Sequence, residues 1–293
     1  MIEDHERIQC VIAPPEALEM AILHHDERGM VMDSSWRNKN AYQCPLTLLG
    51  VVNEYHHLIP GRSEQEGRFE LILLSVAAMV SHHADHEAYE YLLAEFKAAV
   101  KQRASDILAG QEVSIGISDR NHGEFMENCR MIADSDFIPC AFMIDGDEAE
   151  RSAIRTVWPD MLVRMCQFHI IQALRKRLRQ LFGRRKDAQW ISNRVLDLFR
   201  KLQRCSTPSV FDDGYKSFRA GFIETTKDTE SWVLFHEYLT SQWLSPRWID
   251  AVMDWGLPTW IITRDGPFST NNFVERMFRT FDKRVLACRV NRR

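Results

Sequence analysis

The sequence has no Cys-x-x-Cys pair: its seven cysteines, at positions 10, 44, 129, 140, 166, 205 and 288, are scattered and odd in number. Neither a disulfide framework nor a zinc ribbon is indicated. No uninterrupted apolar run reaches the length of a membrane span. The first residues, with Glu3, Asp4 and Glu6, lack the basic-then-apolar order of a signal peptide. These absences point to a soluble intracellular protein with no membrane partner. Internal repeats and low-complexity tracts are also missing, which sets aside solenoids and disordered arrays. An overall excess of positive charge is lacking too, since the net charge is −4.

What is present is a chain of 293 residues, 45% hydrophobic, long enough to fill one large core or two ordinary ones. Its charge is segregated. Residues 1–144 carry 11 Lys and Arg against 23 Asp and Glu, a balance of −12, whereas residues 145–293 carry 26 against 18, a balance of +8. A local positive field attracts a polyanion whatever the total, and counterion release supplies much of the affinity. A solvated charged surface would give the same counts.

Along the first part, apolar runs alternate with helical periodicity. Met30 to Asp33, Cys44 to Val52 and Phe69 to Val80 read as three strands, and Asp85 to Arg103 as a helix carrying Tyr89, Leu92, Leu93, Phe96 and Val100 on one face. Residues 105–138, broken by Gly110, Gly116 and Gly123, support only a helix near 124–133. Cys140 to Ile144 reads as a strand running into Asp145-Gly146-Asp147. A helix follows in which Asp147 caps and Glu150 closes a capping box. Met161 to Met165 predicts another strand, and Cys166 to Phe182 an amphipathic helix.

From 188 to 256 the pattern is helical throughout, with start signals at Thr207-Pro208 and Ser245-Pro246. Its tryptophans, Trp190, Trp232, Trp243, Trp248, Trp255 and Trp260, read as helix-packing core rather than base-stacking residues. A final helix follows Ser269-Thr270-Asn271-Asn272 and carries Glu275.

Three acids stand where metal chemistry would place them: Asp33 and Asp145 at strand ends, and Glu275 on the terminal helix. Strand ends of an open α/β sheet face the crevice above it, and a helix laid across can bring a third carboxylate. Hard oxygen ligands suit Mg²⁺ or Mn²⁺, and two such ions can activate a nucleophile and stabilise a leaving oxygen in phosphodiester cleavage. Each acid also has an ordinary reading: Asp145 as a turn residue before glycine, Asp33 as a turn cap with Ser34 and Ser35, Glu275 as the capping partner of Asn272.

The segment FMIDGDEAERSAIRTVWPDMLVRMCQFHIIQALRKRL, Phe142 to Leu178, resembles the signature of Mutator-like element transposases, in which the second catalytic Asp precedes a helix, a strand and a Cys-x-x-His pair. MDSSWRNKNAYQCPLTLL resembles that family's first catalytic strand, with Ser35 where the family has Thr. STNNFVERMFRTFDKR resembles its last catalytic helix. The likeness runs from about Gly29 to Val285. It implies an α/β, RNase H-like mixed sheet flanked by helices, with an all-helical insertion before the last core helix. The corresponding division is an N-terminal extension at 1–28, the first part of the core at 29–186, the insertion at 187–265 and the third-acid helix at 266–293. It implies Asp33, Asp145 and Glu275 as ligands of two Mg²⁺ or Mn²⁺ ions in DNA strand cleavage and strand transfer. Asp147, Cys166, His169 and Asn272 are supporting motif residues.

Cys166 and His169, one turn apart, would supply half a zinc site, but no second pair is in view and zinc is not expected. His82, His83 and His86 read as a polar loop. Arg175, Lys176, Arg177, Arg179, Arg184, Arg185 and Lys186, with Arg276, Arg279, Lys283 and Arg284 after the third acid, are the candidate phosphate contacts. The first of these clusters could also serve nuclear import.

Transposon ends and target DNA would then be the partners, in the nucleus, and a homo-oligomer is open. The sequence shows no zinc-binding module before or after the core, so a fragment, a relic or a domesticated copy is expected alongside an intact enzyme. A DNA-binding regulator derived from a transposase is the competing function. A glycosidase with paired carboxylates fits the spacing poorly.

Overall fold

A computed structural model describes residues 9–24, 29–35, 44–57, 68–256 and 277–278. The apolar runs become β1 (Gln9–Ile12), β2 (Met30–Ser35), β3 (Leu46–His57), β4 (Arg68–Ser81), β5 (Phe142–Ile144) and β6 (Val163–Met165). The helices are α1 (Pro15–His24), α2 (His86–Leu108), α3 (Asp119–Asp134), α4 (Glu148–Val157), α5 (Gln167–Phe182), α6 (Ala188–Gln203), α7 (Pro208–Thr226), α8 (Thr229–Gln242) and α9 (Ile249–Val252). The chain is α/β, an open mixed sheet flanked by helices. It divides into two compact units, Met1–Met161 with Asn271–Arg293, and Leu162–Thr270.

Five of the six strands lie in the first unit, in the order β1-β4-β3-β2-β5. β2, β3 and β4 form an antiparallel meander, β1 joins β4 antiparallel, and β5 joins β2 in parallel. Met30, Val31 and Met32 are all fully buried. Successive side chains leave a strand on opposite faces, so β2 is covered on both. β3 extends five residues beyond the expected run because its ladder with β4 continues to His57 opposite Arg68. Backbone pairing carries the polar end of the strand where apolar patterning stops.

α2 begins where Asp85 accepts a hydrogen bond from the Ala88 amide at 3.0 Å, satisfying one of the helix's orphan donors. Tyr89, Leu92, Leu93, Phe96 and Val100, the face read from spacing, are all buried. Trp158, after α4, packs on Phe137 and Phe142 and donates its indole N–H to the Phe137 carbonyl at 2.7 Å.

Residues 1–28, read as an extension, contribute β1 and α1 to this unit, and Leu18, Ala21 and Ile22 of α1 are buried. Glu19, fully buried, explains the segment left unassigned after α2. It accepts from Arg103 Nε at 3.0 Å and is ion-paired with the Arg103 Nη2. It also accepts from the amides of Ser114 and Ile115, at 2.9 Å each to its Oε2. An α1 carboxylate thus pins the loop before α3, and α3 itself starts five residues earlier than expected.

The second unit begins with β6, and α5 to α9 close around Ile170, Leu174, Val195, Phe199, Phe222 and Phe235, each fully buried. α7 starts as the Thr207-Pro208 signal predicts: the Thr207 hydroxyl accepts from the Val210 amide at 3.3 Å. Ser245-Pro246 instead opens a turn, with the Ser245 carbonyl accepting from the Trp248 and Ile249 amides at 2.9 Å each, and α9 begins only at Ile249. Arg164, 4% exposed, is ion-paired with Asp254 and donates to the Met253 carbonyl at 2.7 Å. Burial lowers its pKa and Asp254 works against that shift. The unit boundary at Met161 precedes the insertion boundary read at 187, because α5 packs with α6 and α8. Trp232 is buried as expected; Trp190 is 58% exposed, so helical spacing misplaced it on the packed face.

Candidate functional site

The parallel pairing of β2 with β5 sets the geometry. Met30 lies opposite Phe142 and Val31 opposite Met143. Two residues further along the same register, Asp33 and Asp145 come side by side on neighbouring strands, whose axes lie about 5 Å apart. Asp33 is buried, at 8% exposure, and its Oδ1 accepts from the Ser34 amide at 2.7 Å. Asp145 is half-buried at the end of β5. It is followed by Gly146 with φ 105°, a left-handed turn that favours glycine. Asp145 Oδ1 accepts from the Asp147 amide at 3.3 Å.

That turn feeds α4. Asp147 caps the helix, accepting from the Ala149 amide at 2.8 Å. The second half of the expected capping box does not form, because the Asp147 amide that Glu150 would accept from already donates to Asp145. Glu150 is instead 1% exposed, and its Oε2 has no hydrogen-bond partner. Burial raises its pKa well above the usual carboxylate range, and Asp145, Asp33 and Asp147, in that order, raise it further. Four acids therefore share one neighbourhood. Tyr89 of α2 lies beside them: its hydroxyl donates to Ser34 Oγ at 3.1 Å, and Ser34 Oγ bonds Thr47 Oγ1 at 2.8 Å. Burial raises the Tyr89 pKa, as do the charges of Glu150, Asp147 and Asp145, while the Ser34 hydrogen bond opposes them.

Carboxylate oxygens with an unsatisfied buried acceptor among them suit a hard divalent cation in chemistry. Among the described residues, no three His, Cys, Asp or Glu side chains are gathered tightly enough to hold one. Glu275, the expected third ligand, lies outside the described residues, as do Asn272, Arg276, Arg279, Lys283 and Arg284. Met277 and Phe278 are described as helical, with Phe278 buried.

The other motif residues belong to the second unit. Cys166 is fully buried at the N-cap position of α5, and His169, half-buried, packs edge-on against Phe168 with ring centroids 5.7 Å apart. In α5, Ile170, Leu174 and Leu178 turn inward while Arg175, Lys176 and Arg179 are exposed, as the amphipathic pattern predicts. Arg184, Arg185 and Lys186 in the following turn are exposed too. Two of the seven expected phosphate contacts have other work. Arg177 donates to the Leu234 carbonyl at 3.2 Å and lies over the Tyr238 ring, docking α5 on α8. Arg185 pairs with Asp187 at 2.7 Å and donates to the Thr226 carbonyl at 2.8 Å. Arg175, Lys176, Arg179, Arg184 and Lys186 remain the cations directed to solvent.

Glu150 and Tyr89 are the residues that sequence reasoning assigned elsewhere, one to a cap and one to a helix core. A signal existed for Glu150: four acids fall within the six residues 145–150, directly after a buried strand. No family model matches the chain, and neither does any curated protein or solved structure.

Proposed function

We propose that this chain is the catalytic core of a Mutator-like DNA transposase, with an RNase H-like sheet and an Asp33, Asp145, Glu275 triad. The observation that carries the reading is the parallel register that sets Asp33 beside Asp145 at the ends of two buried neighbouring strands. An antiparallel meander whose first strand takes β5 in parallel is compatible with the RNase H-like arrangement. Mg²⁺ or Mn²⁺ bound there would supply the positive charge that a phosphodiester needs for attack and departure.

The chain's own part is to orient and exclude. Asp33 is held by the Ser34 amide and Asp145 by the Asp147 amide, so both carboxylates are set before any ligand arrives. Strand cleavage by water would leave a 3′-hydroxyl and a 5′-phosphate. Transfer would use that hydroxyl to displace a 3′-oxygen in target DNA. The exposed cations of α5, Arg175, Lys176 and Arg179, offer backbone phosphate contacts that hold DNA without reading its sequence. Nuclear localisation follows from this function. Among the described residues no helix is long and apolar enough to cross a membrane.

The test is nicking of supercoiled plasmid DNA in Mn²⁺. The wild-type chain nicks and Asp145→Ala does not. DNA binding without cleavage in Mg²⁺ and Mn²⁺ would replace the enzyme with a DNA-binding regulator.

A further inference from the structure

Glu150 has no structural employment that accounts for its position. It is 1% exposed, yet its Oε2 is without a hydrogen bond. It does not close the capping box, since the Asp147 amide is committed to Asp145. Its neighbour Arg151 pairs with Glu148, at 3.8 Å, and the charges acting on Glu150 are Asp145, Asp33 and Asp147, all negative. The N-terminal dipole of α4 is modest, and Asp147 already caps that end. A buried carboxyl facing three others, with one oxygen lacking any donor, is strained unless something positive occupies the space between them.

We infer that Glu150 is a further carboxylate ligand of the cation site begun by Asp33 and Asp145, presented from the first turn of α4 into the acid cluster. The inference rests on the metal-dependent reading above and deepens it. Asp33 comes from β2, Asp145 from the end of β5 and Glu150 from α4, so three separate elements converge on one position. Small hard cations accept few protein oxygens and complete their shell with water and phosphate. Three carboxylates therefore suffice. Without an ion the same carboxylates repel and stand apart, which is why no tight group of three is present among the described residues. A glutamate has three side-chain torsions, and a rotamer change about them brings its oxygens in without moving the helix.

Mn²⁺ binding to the full chain, read from the loss of the free-ion electron paramagnetic resonance signal, tests this without any catalytic readout. Wild type binds Mn²⁺, Asp145→Asn abolishes binding, and Glu150→Gln weakens it at least tenfold. Glu150→Gln is isosteric and removes a repelled charge, so its melting temperature in EDTA is no lower than that of wild type. That measurement shows the variant folded. Glu150→Asp keeps the charge one methylene short and binds with intermediate affinity. If Asp145→Asn loses Mn²⁺ while both Glu150 variants bind like wild type, the Glu150 assignment falls and the Asp33–Asp145 site stands. If wild type binds no Mn²⁺, both this inference and the metal-dependent function fall.

Discussion

Replacing Glu19 with alanine should destabilise the first unit more than almost any single change outside its apolar core. Both partners of the Glu19–Arg103 pair are inside, their side chains 0% and 10% exposed. Removing one member of such a pair leaves an uncompensated buried charge, at a cost of about 3–5 kcal/mol. Arg103 keeps its bonds to Gln111 and the Glu112 carbonyl, at 2.9 and 2.6 Å, which places the loss toward the lower end. For a chain of this size each kcal/mol is worth ~2–4 °C in Tm, so the drop is about 6–12 °C.

The assay is urea unfolding followed by far-UV circular dichroism, with amide hydrogen exchange as the local readout. The Ser114 and Ile115 amides donate to Glu19 and should lose protection before any other part of the unit. Glu19→Leu combined with Arg103→Met should recover much of the loss, because an apolar pair of similar volume avoids the desolvation of two charges. A Glu19→Ala cost below ~1 kcal/mol, the usual ceiling for an exposed ion pair, would refute the reasoning. Unchanged exchange at Ser114 and Ile115 would do the same.

Two further outcomes follow from the charge distribution. Arg175→Ala with Arg179→Ala should weaken DNA binding uniformly across sequences and lower the slope of log K against log salt by about 1 for each phosphate that is no longer neutralised, measured by fluorescence anisotropy. The double change Arg177→Ala with Arg185→Ala should act mainly on helix packing and leave that slope closer to wild type. In EDTA, a Glu150 pKa raised in the folded state means that the native protein holds its proton longer than the unfolded chain does. Stability should therefore fall as pH rises from about 4.5, by up to ~1.4 kcal/mol per pH unit from this group. Chemical denaturation at several pH values should show that component absent in Glu150→Gln.

The strands and helices of the first unit were largely legible because each carries its own periodicity: the buried face of α2 and the apolar runs of β2 and β4 are local signals. What escaped is decided by distant partners. β1 is a four-residue edge strand with alternating exposure, and nothing in Gln9 to Ile12 announces that β4 will pair with it. The loop before α3 takes its course from Glu19, 95 residues away along the chain. Glu150 escaped for a different reason: an acid three residues after an N-cap reads the same whether it turns back to the cap or inward to other acids. Trp190 shows the limit of spacing alone, since one side of an amphipathic helix is always left to solvent. Asp33 and Asp145 were placed correctly at strand ends, but their adjacency comes from a parallel register that sequence does not display.

That register also orders events in folding. The β3–β4 hairpin closes over a short connection and can form early. By contrast, β2 meets β5 only after the chain between them has been laid down with α2 and α3, a separation of 112 residues from Asp33 to Asp145. Closing so long a loop is entropically slow relative to local pairing. The two acids are therefore kept apart until the rest of the sheet has been built to receive them, and their mutual repulsion is met late, by a scaffold already able to bear it.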